Sequence, residues 1–219
     1  MKVKLLNYTP LEVADIAICK CYGNEPHSDS EKVKARINRV ANVSKHASTI
    51  EHLYYSFDIV GISRACLQEL ARHRIASYTV KSSRYTLQEL KKEEPFVNIK
   101  HNIAPGIMGV PTPTEEQSKR AYQYIVKTDN LFVNNSNILS LEGLRGCLNH
   151  NIPNDIAKYC MPEAYKTSLV MSINARSLQN FLELRTSKHA LKEIQSLARS
   201  IFEAIPEEHK FLFKEYIND

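Results

Sequence analysis

The sequence predicts an α+β fold with one main sheet, on three observations. Two stretches alternate apolar and polar residues with the period of two that a half-buried strand requires: Leu53, Tyr55, Phe57 and Ile59 in one, Leu169, Met171 and Ile173 in the other. The last third repeats Ala190, Ile194, Leu197, Ile201 and Ile205 at intervals of three and four, the spacing of a helix with one buried face. Strands and helices follow one another without the strand–helix–strand rhythm that builds a parallel sheet. With 219 residues, 43% of them hydrophobic, the chain can bury a core in one large domain or two small ones.

Along the chain, "KVKLLN" at residues 2–7 reads as a first strand. Thr9-Pro10-Leu11-Glu12 then starts a helix, with Thr9 as N-cap, Pro10 at the first helical position and Glu12 closing a capping box. Residues 24–32, "NEPHSDSEK", read as a polar loop ahead of the alternating strand. Ser63 caps a helix over "RACLQELARHR" at 64–74, and Cys66 falls on its buried side. The hydroxyl-rich, β-branched "SYTVKSSRYT" at 77–86 is extended or looped, carrying its hydroxyls and Arg84 back across the end of that helix. Residues 91–113 look irregular. Thr114 to Gln117 form a second capping box before "RAYQYIVKTDNLFV", and Asn154 caps a short helix, "DIAKYCM", that Pro162 follows. "TSLVMSIN" at 167–174 is a strand.

The formal charge of +5 suits anionic ligands, nucleotides or nucleic acid, and does not choose among them. The five cysteines are odd in number and form no C-x-x-C pair, so a disulfide framework is not expected and a reducing compartment is. The N-terminal apolar segment is broken by Pro10, Glu12 and Asp15 and lacks the uninterrupted core of a signal peptide. No apolar run reaches membrane-spanning length. A soluble cytoplasmic protein is expected, with no membrane partner.

Chemistry concentrates in three places. In "ELARHRIASYTVKSSRY" the cations Arg72, Arg74, Lys81 and Arg84, with His73, crowd Ser82 and Ser83. So many cations gain more from a shared anion than from repelling one another, and the arginine fork suits phosphate or carboxylate. The plain alternative is a surface patch neutralised by Glu69, Glu89, Glu93 and Glu94. Ser82 makes a poor nucleophile, because His73 sits between two arginines and these oppose the protonation a general base must undergo. In "HASTIEH", His46, Glu51 and His52 lack the spacing of a zinc site; His46 faces a ligand, His52 packs, and no metal is expected. In "NARSLQNFLELRTSKHALKEI", Leu178, Phe181 and Leu182 form an apolar stripe, while Arg176, Asn180 and Arg185 are polar. The glycines make neither G-x-G-x-x-G nor a P-loop, so any nucleotide is held by side chains and helix ends.

Arg72-His73-Arg74, seven residues, then Ser82 resembles the signature of the flavin-dependent thymidylate synthases. "HASTIEH" is similar to the histidine segment of that family, and "NARSLQNFLELR…HA..EI" to its C-terminal flavin and substrate block. The resemblance implies a single domain over residues 1–219: a mainly antiparallel sheet flanked by helices, assembled as a homotetramer with shared active sites. It also implies reductive methylation of dUMP to dTMP, with carbon from methylenetetrahydrofolate and reducing equivalents from NADPH through FAD.

Carried over by position, FAD meets His46, Ser48, Arg72, His73, Arg74, Asn174, Arg176 and Asn180. dUMP meets Glu69, Arg72, Lys81, Ser82, Ser83, Arg84, Lys158 and Arg185. Arg185 is the catalytic group, favouring ionisation at N3 of uracil. The sequence departs from the family pattern at Thr79-Val80, at Glu69 in place of glutamine, at Lys158 in place of arginine, and at "AICKCY". Two rivals are a nucleic-acid-binding module, which the basic charge allows, and a flavin oxidoreductase without methyl transfer.

Overall fold

The computed structural model describes residues 1–98 and 112–218. These form two compact units, one of Met1–Val60, Gln68–Thr79 and Ser168–Asp219, the other of Gly61–Leu67 and Val80–Thr167. A four-stranded sheet runs in the order β1 (Lys2–Tyr8), β2 (Tyr54–Ser63), β4 (Lys166–Asn174), β3 (Ala76–Val80). β1 and β2 are antiparallel from Lys2 opposite Val60 to Tyr8 opposite Tyr55, with a bulge between Leu5 and Asn7. The fold is α+β with a mainly antiparallel sheet and many helices, as expected.

In the first unit the alternating residues do what their period demands. Tyr55, Phe57, Ile59, Met171 and Ile173 are fully buried, and Leu169 nearly so. Helix α8 (Ala175–Thr186) adds Leu178, Phe181 and Leu182, and α9 (Lys192–Ala204) adds Ile194, Leu197 and Ile201. Each such side chain contributes about 1.5–3 kcal/mol on leaving water. Helix α1 (Leu11–Tyr22) stops at Gly23, whose φ of 65° lets its N–H reach Cys19 O without a Cβ clash. Asp29 caps α2 (Ser30–Ile37), accepting from Glu31 N and Lys32 N.

The second unit packs round α6 (Leu131–Asn149), whose Ile138, Leu141, Leu144 and Leu148 meet Leu87, Leu90, Phe96 and Val97. Glu142 is buried there, answered by Arg145 at 2.6 Å and by Phe96 N at 2.8 Å. The same unit holds residues 64–67 of α3 (Arg64–Leu70), together with α4 (Ser83–Thr86), α5 (Glu115–Ala121) and α7 (Asn154–Ala157).

Several local expectations are corrected. Thr9 does not cap α1; its hydroxyl accepts from Tyr54 N instead, extending the β1–β2 pairing by one residue. The loop at 24–32 ends at Asp29, because that carboxylate starts a helix. Ser63 does cap α3, accepting from Cys66 N, and Cys66 is buried, but the helix ends at Leu70 and not at Arg74. Ser83 and Arg84 lie on a helical turn, not in extended chain. The Thr114–Gln117 capping box forms in full, yet α5 stops at Ala121 and a separate helix starts after Asn130, which caps it. Asn154 does not cap α7; its amide donates to Arg84 O. Part of the irregular stretch at 91–113 lies outside the described residues, and its first two residues close a 3₁₀ turn, Leu87–Lys92.

Candidate active site

The early end of α3 shapes the site. Tyr78, on β3, donates its hydroxyl to Leu70 O at 3.0 Å and to His73 O at 2.8 Å, taking carbonyls that a continuing helix would use itself. Burial holds the Tyr78 phenol up at about 12, so it remains a donor at any ordinary pH. Arg72, His73 and Arg74 therefore leave the helix in a turn. Opposite them, Asn174 ends β4 and caps α8 through Ser177 N at 2.8 Å, which aims the first turn of α8 and its Arg176.

These two ends enclose a cleft of about 1150 Å³ within the first unit. It gathers Arg72, His73, Arg74, Asn174, Arg176, Asn180 and Arg185, all of them expected from the sequence. Arg185 is the most constrained. Its Nε donates to His73 Nε2 at 2.9 Å, Nη1 to Glu69 Oε2 at 2.7 Å and Nη2 to Glu69 O at 3.0 Å. Because His73 accepts at Nε2, its proton sits on Nδ1. Burial first, then the Arg185 and Arg72 charges, pull its pKa down to about 4 against the opposing pull of Glu69, so the ring is neutral. Phe181 meets it edge-on, 5.0 Å between centroids. His73 orients Arg185; it is not set up as a base. Glu69, and not a neutral amide, is the group that answers Arg185, with Arg72 at 3.8 Å on the same carboxylate.

Arg176 pairs with Glu51 at 2.6 Å, which ties the start of α8 to the 3₁₀ turn Ala47–His52. His46 precedes that turn, its Nδ1 3.3 Å from the Tyr22 hydroxyl, and Ser48 lies on it, exposed. Neither lines the cleft. His52 is exposed, contrary to the expectation that it packs; Leu53 beside it takes the buried position. Lys81, Ser82, Ser83, Arg84 and Lys158 belong to the second unit. There Lys81 pairs with Glu89 at 3.4 Å, Ser82 precedes α4, and Arg84 lines a hollow of about 370 Å³ with Tyr85, Gln88 and Lys91. Lys158 is exposed at the start of the turn Lys158–Cys160. Ser82 hydrogen-bonds to no histidine among the described residues, so the nucleophile reading has no base.

Sequence reasoning missed Glu51, His189 and Asn218 as cleft residues. His189 stood inside the matched C-terminal block without a role. Asn218 arrives only through long-range packing, its amide on Glu183 O and Thr186 Oγ1, and no local pattern announces it. Among the described residues no group of three His, Cys, Asp or Glu side chains could hold a metal, and no helix is long and apolar enough to cross a membrane.

Guanidinium groups on two facing chain segments, hydrogen-bonding amides between them and a neutral imidazole make this the cleft of a protein that holds phosphorylated, planar ligands by side chains. The chain belongs to the thymidylate synthase complementing protein family, whose model matches residues 4–209. It is 51% identical over 98% of both chains to the flavin-dependent thymidylate synthase of Helicobacter pylori. It is also 51% identical to that of Wolinella succinogenes, over 97% of each. A crystal structure of the Helicobacter pylori thymidylate synthase X with FAD and dUMP superposes with a TM-score of 0.89 at 50% identity, covering both chains in full. A UMP/dUMP methylase from Streptomyces cacaoi shares the fold at a TM-score of 0.66 and 21% identity. These relatives lend no support to a nucleic-acid-binding module or to a flavin oxidoreductase without methyl transfer.

Proposed function

We propose that this chain is a flavin-dependent thymidylate synthase. It methylates dUMP at C5 to give dTMP, with methylenetetrahydrofolate as carbon donor and NADPH as the source of reducing equivalents through FAD. The observation that carries this reading is Arg185, fixed in the cleft by Glu69 and His73 and set among the arginines of a chain so similar to known members.

The cleft fits a flavin dinucleotide. Its volume exceeds the ~300–1,000 Å³ of ordinary small-molecule sites, and Arg72, Arg74 and Arg176 bring charge suited to a pyrophosphate. Asn174 and Asn180 add amides, and His46 and Ser48, at the 3₁₀ turn Ala47–His52 and outside the cleft lining, meet the part of FAD that extends beyond it. Bound FAD supplies the hydride that completes the methyl group. The protein's own part is to position and polarise. Arg185 places a fixed positive charge where negative charge develops on N3 and O4 of uracil, pushing electron density to C5. A preorganised donor of this kind lowers the barrier by ~3 kcal/mol. Glu69 and His73 keep that guanidinium from reorienting.

Lys81, Ser82, Ser83, Arg84 and Lys158 grip the nucleotide, supplied by a neighbouring subunit of a homotetramer, and residues 1–219 work as a single catalytic domain. All five cysteines are free thiols, in keeping with a cytoplasmic enzyme.

The test is direct. The purified protein carries flavin absorbance and releases tritium from dUMP labelled at C5, in dependence on methylenetetrahydrofolate. Flavin without tritium release would leave an oxidoreductase and overturn the reading.

A further inference from the structure

Cys147, on α6, and Cys160, on the turn Lys158–Cys160, bring their sulfurs to 3.7 Å inside the second unit. They come from segments that pack on one core: Cys147 is half-buried against it beside Ile152 and Met161, while Cys160 is exposed. The other thiols differ. Cys19 and Cys66 are buried, and Cys21 is exposed on α1 in the first unit. Nothing in the proposed reaction uses this pair.

We propose that Cys147 and Cys160 are a modification site, a thiol pair that hydrogen peroxide closes reversibly to an intramolecular disulfide. The two sulfurs already share a hydrogen bond and need approach by only about 1.6 Å to reach the ~2.05 Å bond. The order of events follows from exposure. The Cys160 sulfur attacks one oxygen of the peroxide; an S–O bond forms, the O–O bond breaks, and the second oxygen leaves as water with the thiol proton. Cys147 then attacks the Cys160 sulfur; the S–S bond forms and the hydroxyl departs as water with the Cys147 proton. Two thiols and one peroxide give one disulfide and two waters. Burial and the Cys160 contact raise the Cys147 pKa, which suits the resolving partner and not the thiol first attacked.

Closure has a consequence for Lys158, two residues before Cys160 on the same turn. Pulling Cys160 onto α6 reorients that turn. This part rests on the reading of Lys158 as a ligand of the dUMP phosphate.

The test uses the full-length reduced protein, treated with hydrogen peroxide, blocked with N-ethylmaleimide and digested without reductant. Trypsin cuts after Arg145 and Lys158, so the two cysteines fall in separate peptides, 146–158 and 159–166. The expected result is one linked pair, lighter by two hydrogens and split by dithiothreitol; Cys160→Ser removes it and leaves Cys147 alkylated. Recovery of both peptides alkylated at a dose that oxidises Cys21, or equal linkage to Cys21, overturns the site. In the same samples the oxidised wild type has a several-fold higher KM for dUMP at near-constant kcat, and Cys160→Ser does not. A linked pair with unchanged KM overturns the coupling to Lys158. The peptide map reads the site without reference to catalysis, and an inactive reduced enzyme counts against the proposed function alone.

Discussion

The Arg185 Nε lies 2.9 Å from His73 Nε2, so a permanent cation donates to a ring that stays uncharged. One residue belongs to the R-H-R motif and the other to α8, far along the chain. Their contact joins the two blocks into one device: the imidazole fixes the plane of the guanidinium, and the guanidinium keeps the imidazole from taking a second proton.

Arg185→Ala should retain flavin absorbance and lose dTMP formation by ~10²–10³ in kcat. Arg185→Lys should recover little, because an ammonium cannot donate to His73 and to both Glu69 oxygens in one plane. Turnover within a fewfold of wild type in Arg185→Ala would remove Arg185 from the chemistry.

Folding stability should fall as the solution is acidified below the ordinary histidine value of 6.5 toward about 4. In that window the unfolded chain takes up a proton at His73 that the folded protein refuses, so stability rises with pH across it and is fully present above it. Across the whole window the contribution is roughly 3 kcal/mol before solvent screening reduces it. Urea unfolding at pH 7 and pH 5 should show a smaller difference between the two pH values in His73→Gln than in wild type. Equal differences would mean that His73 titrates normally.

Glu69→Gln should keep a hydrogen bond to Arg185 while removing the carboxylate that offsets its charge. With that charge uncompensated, the ionised form of bound uracil gains, and the acid limb of the pH–kcat profile should move to lower pH. A shift to higher pH would show that Glu69 aids ionisation by another route.

Ser82→Ala should raise KM for dUMP more than it lowers kcat, as expected of a hydroxyl that binds and does not attack. Abolished turnover at saturating dUMP would revive covalent catalysis by Ser82.

Much of this was readable beforehand where a local rule suffices. The period of two placed Tyr55, Phe57, Ile59, Met171 and Ile173 in the core, and Thr114 and Gln117 formed their reciprocal cap. The family resemblance, carried over position by position, named seven of the residues that line the cleft. Failures came where a distant group outcompeted a local one. Thr9 turned from its own helix to Tyr54 N, and Asn154 turned from α7 to Arg84 O. Glu69 could not be told from Gln68 on the chain, since what selects it is Arg185, 116 residues away. Asn218 folding back on α8 has no sequence signal at all.

The hydroxyl that halts α3 explains why the count of residues between Leu70 and Tyr78 is not free to vary. Side chains on an α-helix advance by roughly 100° each, so a helix run on through Arg74 would send Arg72 and Arg74 to nearly opposite sides of a cylinder. Tied off by Tyr78, both instead open onto one basin. An insertion or deletion in this segment would slide the tie to another carbonyl and part the two forks, even with every charged residue retained.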